Sequence, residues 1–113
     1  YDPSPEQLRS RYGPEVKPEQ LFDRRRPGGR VLTLDGYPHR GQPIMLTEFG
    51  GIAFAGAHAD ASRKIWGYSV AESVDDFRRR YHELLEAVAH TPLFSGFCYT
   101  QFSDTYQEAN GLL

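Results

Sequence analysis

The chain is poor in cysteine, in long apolar runs and in net charge. Cys98 is the single cysteine among 113 residues, so no disulfide can form within the chain. No apolar run approaches the roughly 20 residues that a membrane-spanning helix needs. The formal net charge of −2 gives no reason to expect nucleic acid or an acidic membrane surface as a partner. The sequence therefore excludes a disulfide framework and predicts neither a nucleic-acid nor a membrane partner.

The common cofactor-binding motifs are also missing. There is no phosphate-binding loop, no dinucleotide fingerprint and no Ser-His-Asp order. The four histidines, His39, His58, His82 and His90, are not spaced as zinc ligands. His58 could reach a cleft, whereas the other three are predicted on loops or on a helix surface. Cys98 lies in an apolar segment and is predicted to belong to the core. We therefore expect neither a metal ion nor an organic cofactor.

The segment from Pro43 to Gly51 carries the strongest signal in the chain. The apolar run Ile44–Leu46 predicts a strand buried on both faces, as in a parallel sheet, and Glu48 follows near its carboxyl end. Enzymes with parallel sheets place catalytic groups at this end of a strand. The two glycines that follow allow a sharp turn beside the carboxylate. Glu48 is thus a candidate catalytic residue, the alternative being a glutamate that simply faces solvent.

A helix and a second strand follow in an order typical of a βαβ unit. Ser73, with Asp76 three residues later, predicts a helix N-cap, and His90–Pro92 predicts the helix end. Apolar residues between these points recur at helical spacing. Leu93–Tyr99 then predicts another buried strand. Strand, helix and strand in this order predict a parallel pair.

The first 42 residues predict a lead-in of loops and short helices. Ser4, followed by proline and an acid, is typical of a helix start. Val31–Leu34 alternates like a short strand, and Asp35 with Gly36 would turn the chain after it. Arg24–Arg26 predicts an exposed, solvated loop rather than a surface for nucleic acid.

Two motifs resemble one enzyme family. Thr47–Gly51, followed by Trp66–Tyr68, is similar to the nucleophile region of glycoside hydrolase family 2, which includes β-galactosidases, β-glucuronidases and β-mannosidases. Gly96–Asp104, followed by Gln107–Leu112, is similar to the last barrel strand and the following loop of a β-galactosidase-like branch. The resemblance covers Pro43–Leu113 well and the first forty residues only loosely.

The resemblance implies a partial (β/α)8 TIM barrel that contains the last strands and helices only. A complete barrel needs about 250 residues. The chain of 113 residues would then be a fragment of a catalytic domain, with residues 1–42 as a loop and helical lead-in and residues 43–113 as a βαβ unit. The full-length parent would be a retaining β-glycosidase acting on a β-glycoside or oligosaccharide. The resemblance implies that this parent enzyme is β-galactosidase-like and that Glu48 is its nucleophile.

The second carboxyl group of such an enzyme is missing from the sequence. In the family, the acid/base residue sits in an Asn-Glu pair, but the one asparagine here, Asn110, precedes glycine. Asp104 and Glu108 are the carboxylates near the second motif, and either could come close to Glu48, since consecutive parallel strands are neighbours. The resemblance instead places them in the loop after the last strand, where they would cap, order or bind. One carboxylate cannot serve as both nucleophile and acid/base. The fragment alone is therefore expected to be inactive.

Three residues are expected to bind substrate. Thr100 and Gln101 end the second predicted strand, where either side chain could hydrogen-bond a sugar hydroxyl or, alternatively, the neighbouring loop. Trp66 could stack on a pyranose ring or pack beneath the loop that carries it. In many members of the resembling family a tryptophan near this point lies beneath the sugar, and the polar pair Thr100 and Gln101 departs from that pattern.

Two other interpretations stay open. The chain could be a non-catalytic folded module that binds carbohydrate or self-associates through exposed sheet edges. It could also be an unrelated small α/β protein, which predicts a closed sheet without an open edge.

Overall fold

The computed structural model describes residues 3–54, 67–106 and 108–113. Trp66 and His58 lie outside these residues. The described elements are, in chain order, α1 (Pro5–Tyr12), α2 (Pro18–Asp23), a 3₁₀ turn (Pro27–Gly29), β1 (Met45–Gly50), β2 (Ile52–Ala53), β3 (Ser69–Val70), α3 (Val74–Ala89) and β4 (Gly96–Thr100). None of the described helices has the length and apolar character needed to cross a membrane.

The described strands form two sheets of two strands each, and both sheets are parallel. β1 pairs with β4, and β2 pairs with β3. Helix α3 lies between β1 and β4 in the sequence, so it belongs to the crossover that a parallel pair requires. This pairing agrees with the order of strand, helix and strand in the sequence.

The prediction of a partial (β/α)8 barrel is wrong. In a barrel the strands close into one sheet and each has a neighbour on both sides, whereas among the described strands β1 pairs with β4 alone. The chain leaves β1 through Gly50 and Gly51, whose φ angles are 100° and 70°, and enters a different sheet at Ile52. The protein is therefore a small domain of helices and short parallel strands, not a portion of a TIM barrel.

The β1–β4 sheet is buried on one face only, contrary to the prediction of two buried faces. Leu46 and Phe49 are 8% and 0% exposed, whereas Met45 is 52% and Phe97 46% exposed. Cys98 is also exposed, so its predicted place in the core is wrong. A short apolar run does not by itself reveal how many faces of a strand are covered, and here one face is open.

One apolar core joins the helices to the buried face of the strands. Helix α3 follows its predicted apolar stripe into this core. Helix α1 packs against α3, and the Tyr12 ring meets the Phe94 ring edge-on, with centroids 5.1 Å apart. The buried members of the core are Leu8, Leu46, Phe49, Ile52, Ala71, Leu84, Ala87 and Val88.

Helix α3 begins and ends as predicted. The Ser73 Oγ accepts a hydrogen bond from the Asp76 N–H at 3.0 Å, and Asp75 and Asp76 in the first turn complement the positive end of the helix dipole. Just past the helix, the Thr91 hydroxyl donates to the Ala87 carbonyl at 2.7 Å. Short-range capping therefore fixes both ends of the helix.

The amino-terminal predictions are confirmed in part. Helix α1 begins after Ser4, whose Oγ accepts from the Gln7 N–H at 3.2 Å. Val31–Leu34 does not form a strand in the described structure. Leu34 instead makes an isolated antiparallel bridge to Tyr37 across the predicted turn. The alternating pattern is present, but no neighbouring strand is there to pair with it, and a strand is stable only in a sheet.

Acid is expected to destabilise the protein through Asp76. Hydrogen bonds from the Arg80 side chain (2.9 Å), the Glu72 backbone N–H (3.1 Å) and the Arg79 side chain (2.6 Å) lower the pKa of the Asp76 carboxyl from 3.8 to about 2. The folded state therefore binds this proton more weakly than the unfolded chain does. Asp76 stabilises the fold above about pH 4, and this stabilisation is lost as the pH falls toward 2. Across that range we expect the Tm of Asp76→Asn to fall less steeply than that of the wild type.

Asp75→Asn is the matched control for this measurement. Asp75 occupies the same helical turn, but it is 92% exposed and its contact with Arg78 is long, at 3.5 Å. The control should keep the wild-type dependence of Tm on pH, because exposed pairs contribute little to stability. Identical pH dependence in the wild type and Asp76→Asn would contradict the role given to Asp76.

Candidate functional site

Glu48 lies in a β-bulge. The register of β1 on β4 shifts by one residue between Leu46 and Phe49, so that Thr47 and Glu48 together face Cys98. Strict alternation would put Glu48 on the face of Leu46 and turn Phe49 away from the core. The bulge leaves Leu46 and Phe49 buried and both intervening residues exposed. It therefore directs the carboxylate away from the apolar core.

The carboxyl ends of β1 and β4 meet close to Glu48. Gly50 pairs with Thr100, and the Gly51 N–H donates to the Thr100 carbonyl at 2.8 Å. Thr100 is followed by Gln101 through a cis peptide bond, and both residues are half-buried. Glu48, Thr100 and Gln101, which were expected to form one site, thus lie at the same end of one sheet. Trp66, the other expected site residue, lies outside the described residues.

The loop that follows β4 folds back over the strand ends. The Gln101 N–H donates to the Asn110 carbonyl at 3.3 Å, and the Leu112 N–H donates to the Gln101 carbonyl at 3.2 Å. The Phe54 N–H, directly after β2, donates to the Ala109 carbonyl at 2.8 Å. These bonds connect the loop to the end of β4 on one side and to the end of β2 on the other.

Asp104 orders this loop. Its Oδ1 accepts a hydrogen bond from the Gly111 N–H at 2.8 Å. Gly111 lies so close to the opposite strand of the loop that a Cβ there would come within 2.5 Å of the Ser103 carbonyl carbon. The Asp104 carboxylate therefore has a structural partner, in agreement with a capping or ordering role.

Two tyrosine rings lie against the glycine turn between β1 and β2. A Cβ on Gly50 would overlap the Tyr99 ring, and a Cβ on Gly51 would lie 2.7 Å from the Tyr68 ring. Both glycines also have φ angles that L side chains adopt only with strain. The turn that brings Glu48, Thr100 and Gln101 together thus depends on glycine at both positions.

Several polar side chains next to this turn have buried atoms without a hydrogen-bond partner among the described residues. They are called the polar cluster below: Ser69, which pairs with Ile52; Tyr99 and Asn110, which lie against the two glycines; and Gln101, whose N–H donates to the Asn110 carbonyl. Asn110 is only 1% exposed, and neither Nδ2 nor Oδ1 of its carboxamide has a hydrogen-bond partner among the described residues. The carboxamide nitrogen lies 3.6 Å from the position that a Cβ on Gly51 would take. Because buried polar groups are almost always hydrogen-bonded, this cluster is chemically equipped to bind water or ligand hydroxyls.

Tyr99 links the polar cluster to the core. Burial raises the pKa of its hydroxyl to about 12, so the phenol is neutral at physiological pH. The nearby Ile52 backbone N–H acts in the opposite direction and lowers this pKa. The Tyr99 ring meets the Phe49 ring edge-on, with centroids 5.5 Å apart. The same residue thus packs behind the Glu48 bulge and contributes its hydroxyl to the polar cluster.

A depression of about 420 Å³ opens beyond the end of β4. Its described lining residues are Gln101, Thr105, Tyr106 and Glu108. Tyr106 is 98% exposed, so its ring has almost no contact with the rest of the chain. Gln101 belongs both to this depression and to the polar cluster, and it therefore connects the two.

Sequence reasoning gave no binding role to Asn110 or Tyr106. The sequence contains only a weak indication that Asn110 has a special role, since it is the one asparagine of the chain and precedes glycine. Tyr106 had none, because its exposure depends on the short turn that Thr105 and Glu108 close through paired backbone hydrogen bonds of 3.1 and 3.0 Å.

No set of three or more metal-ligating side chains is grouped within the part of the chain that the structure describes. Comparison of the chain with protein-family models, curated proteins and solved structures gives no match. The two sequence motifs and the local geometry of the strand ends are therefore the features of this chain that bear on its function.

Proposed function

We propose that Glu48 is the nucleophile of a retaining β-glycosidase that acts on β-galactosides or related β-linked sugars. The observation that carries the proposal is the bulge at Thr47 and Glu48, which exposes the carboxylate beside the carboxyl ends of two paired parallel strands. Bulges of this kind are common next to active sites, where they redirect a side chain. The proposal concerns the chemistry of this strand end and does not require a barrel.

The reaction needs two carboxyl groups about 5–5.5 Å apart. In the first step, a carboxylate oxygen of Glu48 attacks the anomeric carbon, the bond to the leaving oxygen breaks, and an acid gives that oxygen a proton. In the second step, water attacks the same carbon, the bond to Glu48 breaks, and the conjugate base takes the proton from water. Two displacements restore the original β configuration.

The acid/base residue is proposed to come from polypeptide outside this chain. The Asn-Glu pair that carries this role in the resembling family does not occur in the sequence. Asp104 already accepts the Gly111 N–H, and Glu108 lines the depression beyond β4. This chain would contribute the nucleophile, and Thr100 and Gln101, at the same end of the β1–β4 sheet, would hydrogen-bond sugar hydroxyls.

Covalent labelling tests the nucleophile directly. A 2,4-dinitrophenyl 2-deoxy-2-fluoro-β-galactoside needs no acid for departure of its leaving group, so a glycosyl ester should accumulate on the nucleophile. The reagent is applied to the chain expressed together with any sequence that flanks it in its gene. We expect one sugar per protein by intact mass spectrometry, located on the peptide that contains Glu48. Glu48→Gln should not be labelled.

Glu72→Gln is the control for this experiment. Glu72 is an exposed carboxylate in the segment between β3 and α3, and it belongs to neither β1 nor β4. Its substitution should leave the labelling unchanged. A sugar attached to another carboxylate, or turnover of an aryl β-galactoside by Glu48→Gln at the wild-type rate, would refute the assignment.

Self-association is a second candidate function, and the open sheet face favours it. Met45, Phe97 and Val70 are 52%, 46% and 56% exposed, and each described sheet has only two strands. Apolar side chains next to unpaired strand edges favour pairing with another copy of the chain. Sedimentation velocity over a concentration series separates the two candidates, because a β-glycosidase nucleophile does not require a dimer.

A further inference from the structure

We propose that the depression beyond β4 binds the pyranose ring of a neutral saccharide, with Tyr106 as the stacking platform. That the ligand is a sugar rests on the proposed function, whereas the presence of a binding site follows from the residues that line the depression. None of the sequence motifs assigned a binding role to Tyr106 or Thr105, and for Glu108 binding was one of three open roles, beside capping and ordering its loop.

The size and position of the depression suit a single sugar ring. Its volume of about 420 Å³ lies in the range of about 300–1,000 Å³ that is usual for small-molecule sites. It begins at Gln101, the residue after Thr100, and the Thr100 carbonyl accepts the Gly51 N–H at 2.8 Å. The depression therefore adjoins the same strand ends that carry Glu48, where a neighbouring ring of a bound oligosaccharide would lie.

Tyr106 supplies the apolar surface of the site. With 98% of the residue exposed, both faces of its ring are open to solvent. The turn that carries it is closed by two backbone hydrogen bonds between Thr105 and Glu108, at 3.1 and 3.0 Å. A tyrosine has few rotatable bonds, so it is ordered at low entropic cost when a ligand covers it. The C–H face of a pyranose is the matching apolar surface.

The polar groups around Tyr106 match neutral hydroxyls. Within the described part of the chain, the Gln101 Nε2 is a buried donor without a hydrogen-bond partner. The Glu108 carboxylate is an acceptor, and the Thr105 hydroxyl can donate or accept. A sugar hydroxyl both donates and accepts, so it can satisfy each of these groups. The Glu108 carboxylate would repel an anionic ligand. The site is therefore expected to reject uronic acids and sugar phosphates.

The test is a titration followed by NMR, with methyl β-galactoside and lactose as neutral probes and glucuronic acid as the anionic probe. With the neutral probes, the Gln101 side-chain amide signals should shift in the wild type and in Glu48→Gln. Tyr106→Ala should weaken binding about tenfold through the loss of apolar contact area, and Tyr106→Phe should keep it within about twofold. Glu108→Gln should allow glucuronic acid to bind.

Tyr37→Ala is the matched control, because Tyr37 is also an exposed tyrosine on a turn, 75% exposed, but belongs to the amino-terminal lead-in. It should leave binding unchanged. Equal binding by the wild type and Tyr106→Ala, or no shift of the Gln101 amide at the highest soluble sugar concentration, overturns the proposal. This test can succeed even if the proposed nucleophile is wrong. If sugar binding depends on Tyr106 but the fluorinated galactoside does not label Glu48, the nucleophile role of Glu48 is rejected and the binding site is retained.

Discussion

Gly50→Ala is expected to lower the free energy of unfolding by about 2–5 kcal/mol, through backbone strain of about 1–2 and overpacking of about 1–3 kcal/mol. Gly50 has a φ of 100°, which an L side chain adopts only with strain. The added methyl group would also overlap the Tyr99 ring, which is fixed between the Phe49 and Tyr81 rings, with centroids 5.5 and 4.9 Å away. Urea denaturation measures the loss.

Gly41→Ala separates these two causes. Gly41 has a similar φ of 87°, but a Cβ there would have no atom within 4 Å. This control should lose only the backbone component, about 1–2 kcal/mol. The difference between the two variants then measures the conflict with Tyr99. If Gly50→Ala and Gly41→Ala lose the same free energy of unfolding, the Tyr99 ring moves aside without cost. The contact between Gly50 and Tyr99 would then not fix the position of the strand ends.

The helices could be predicted because the signals that form them are local. Ser4 and Ser73 each cap a helix through a hydrogen bond to a residue three positions later. Such contacts depend on short sequence windows, where side-chain chemistry and spacing are sufficient. The same is true of the turn at Asp35 and Gly36, although the strand predicted before it did not form.

The arrangement of the strands could not be read from the sequence in the same way. A pattern of strand, helix and strand specifies a parallel pair, but it does not specify how many strands join that pair. The decision here depends on Gly50 and Gly51, which turn the chain out of one sheet and into another. It also depends on the bulge at Thr47 and Glu48, because a register shift is a property of two strands and not of one.

The candidate site was predictable where a residue belongs to a strand end. Glu48 lies two residues after the apolar run Ile44–Leu46, and Thr100 and Gln101 come at the end of the segment that forms β4. Their position at one end of the sheet follows once the strands pair in parallel. Asn110 and Tyr106 depend on how the loop after β4 folds back, through hydrogen bonds between residues that are not neighbours in the sequence. Long-range closure of this kind leaves no periodic signal.

Asn110→Leu is expected to raise the free energy of unfolding by about 1–3 kcal/mol, the usual cost of a buried polar group without a partner. The side chain is 1% exposed, and neither of its polar atoms has a hydrogen-bond partner among residues 3–54, 67–106 and 108–113. Leucine has nearly the same shape but no polar atom. The hydrogen bond that the Asn110 carbonyl accepts from the Gln101 N–H belongs to the backbone and should persist. Stability gained in this way usually comes at the expense of function.

Thr91→Val supplies the opposite case. Thr91 is also buried, at 5% exposure, but its hydroxyl donates to the Ala87 carbonyl at 2.7 Å. Its replacement by a side chain of the same shape should lower the free energy of unfolding by about 1–3 kcal/mol, because the carbonyl loses a partner. Two substitutions of buried polar residues should thus change stability in opposite directions when measured by urea denaturation.

The labelling rate then decides what the unpaired carboxamide of Asn110 is for. If the polar cluster serves the proposed chemistry, Asn110→Leu should label more slowly with the fluorinated galactoside although it is more stable, and Thr91→Val should label at the wild-type rate although it is less stable. A residue that acts only in folding cannot produce this crossed result, because loss of structure and loss of labelling would then change together. Destabilisation by Asn110→Leu would show instead that the carboxamide has a partner in the folded protein, and the polar cluster would be structural.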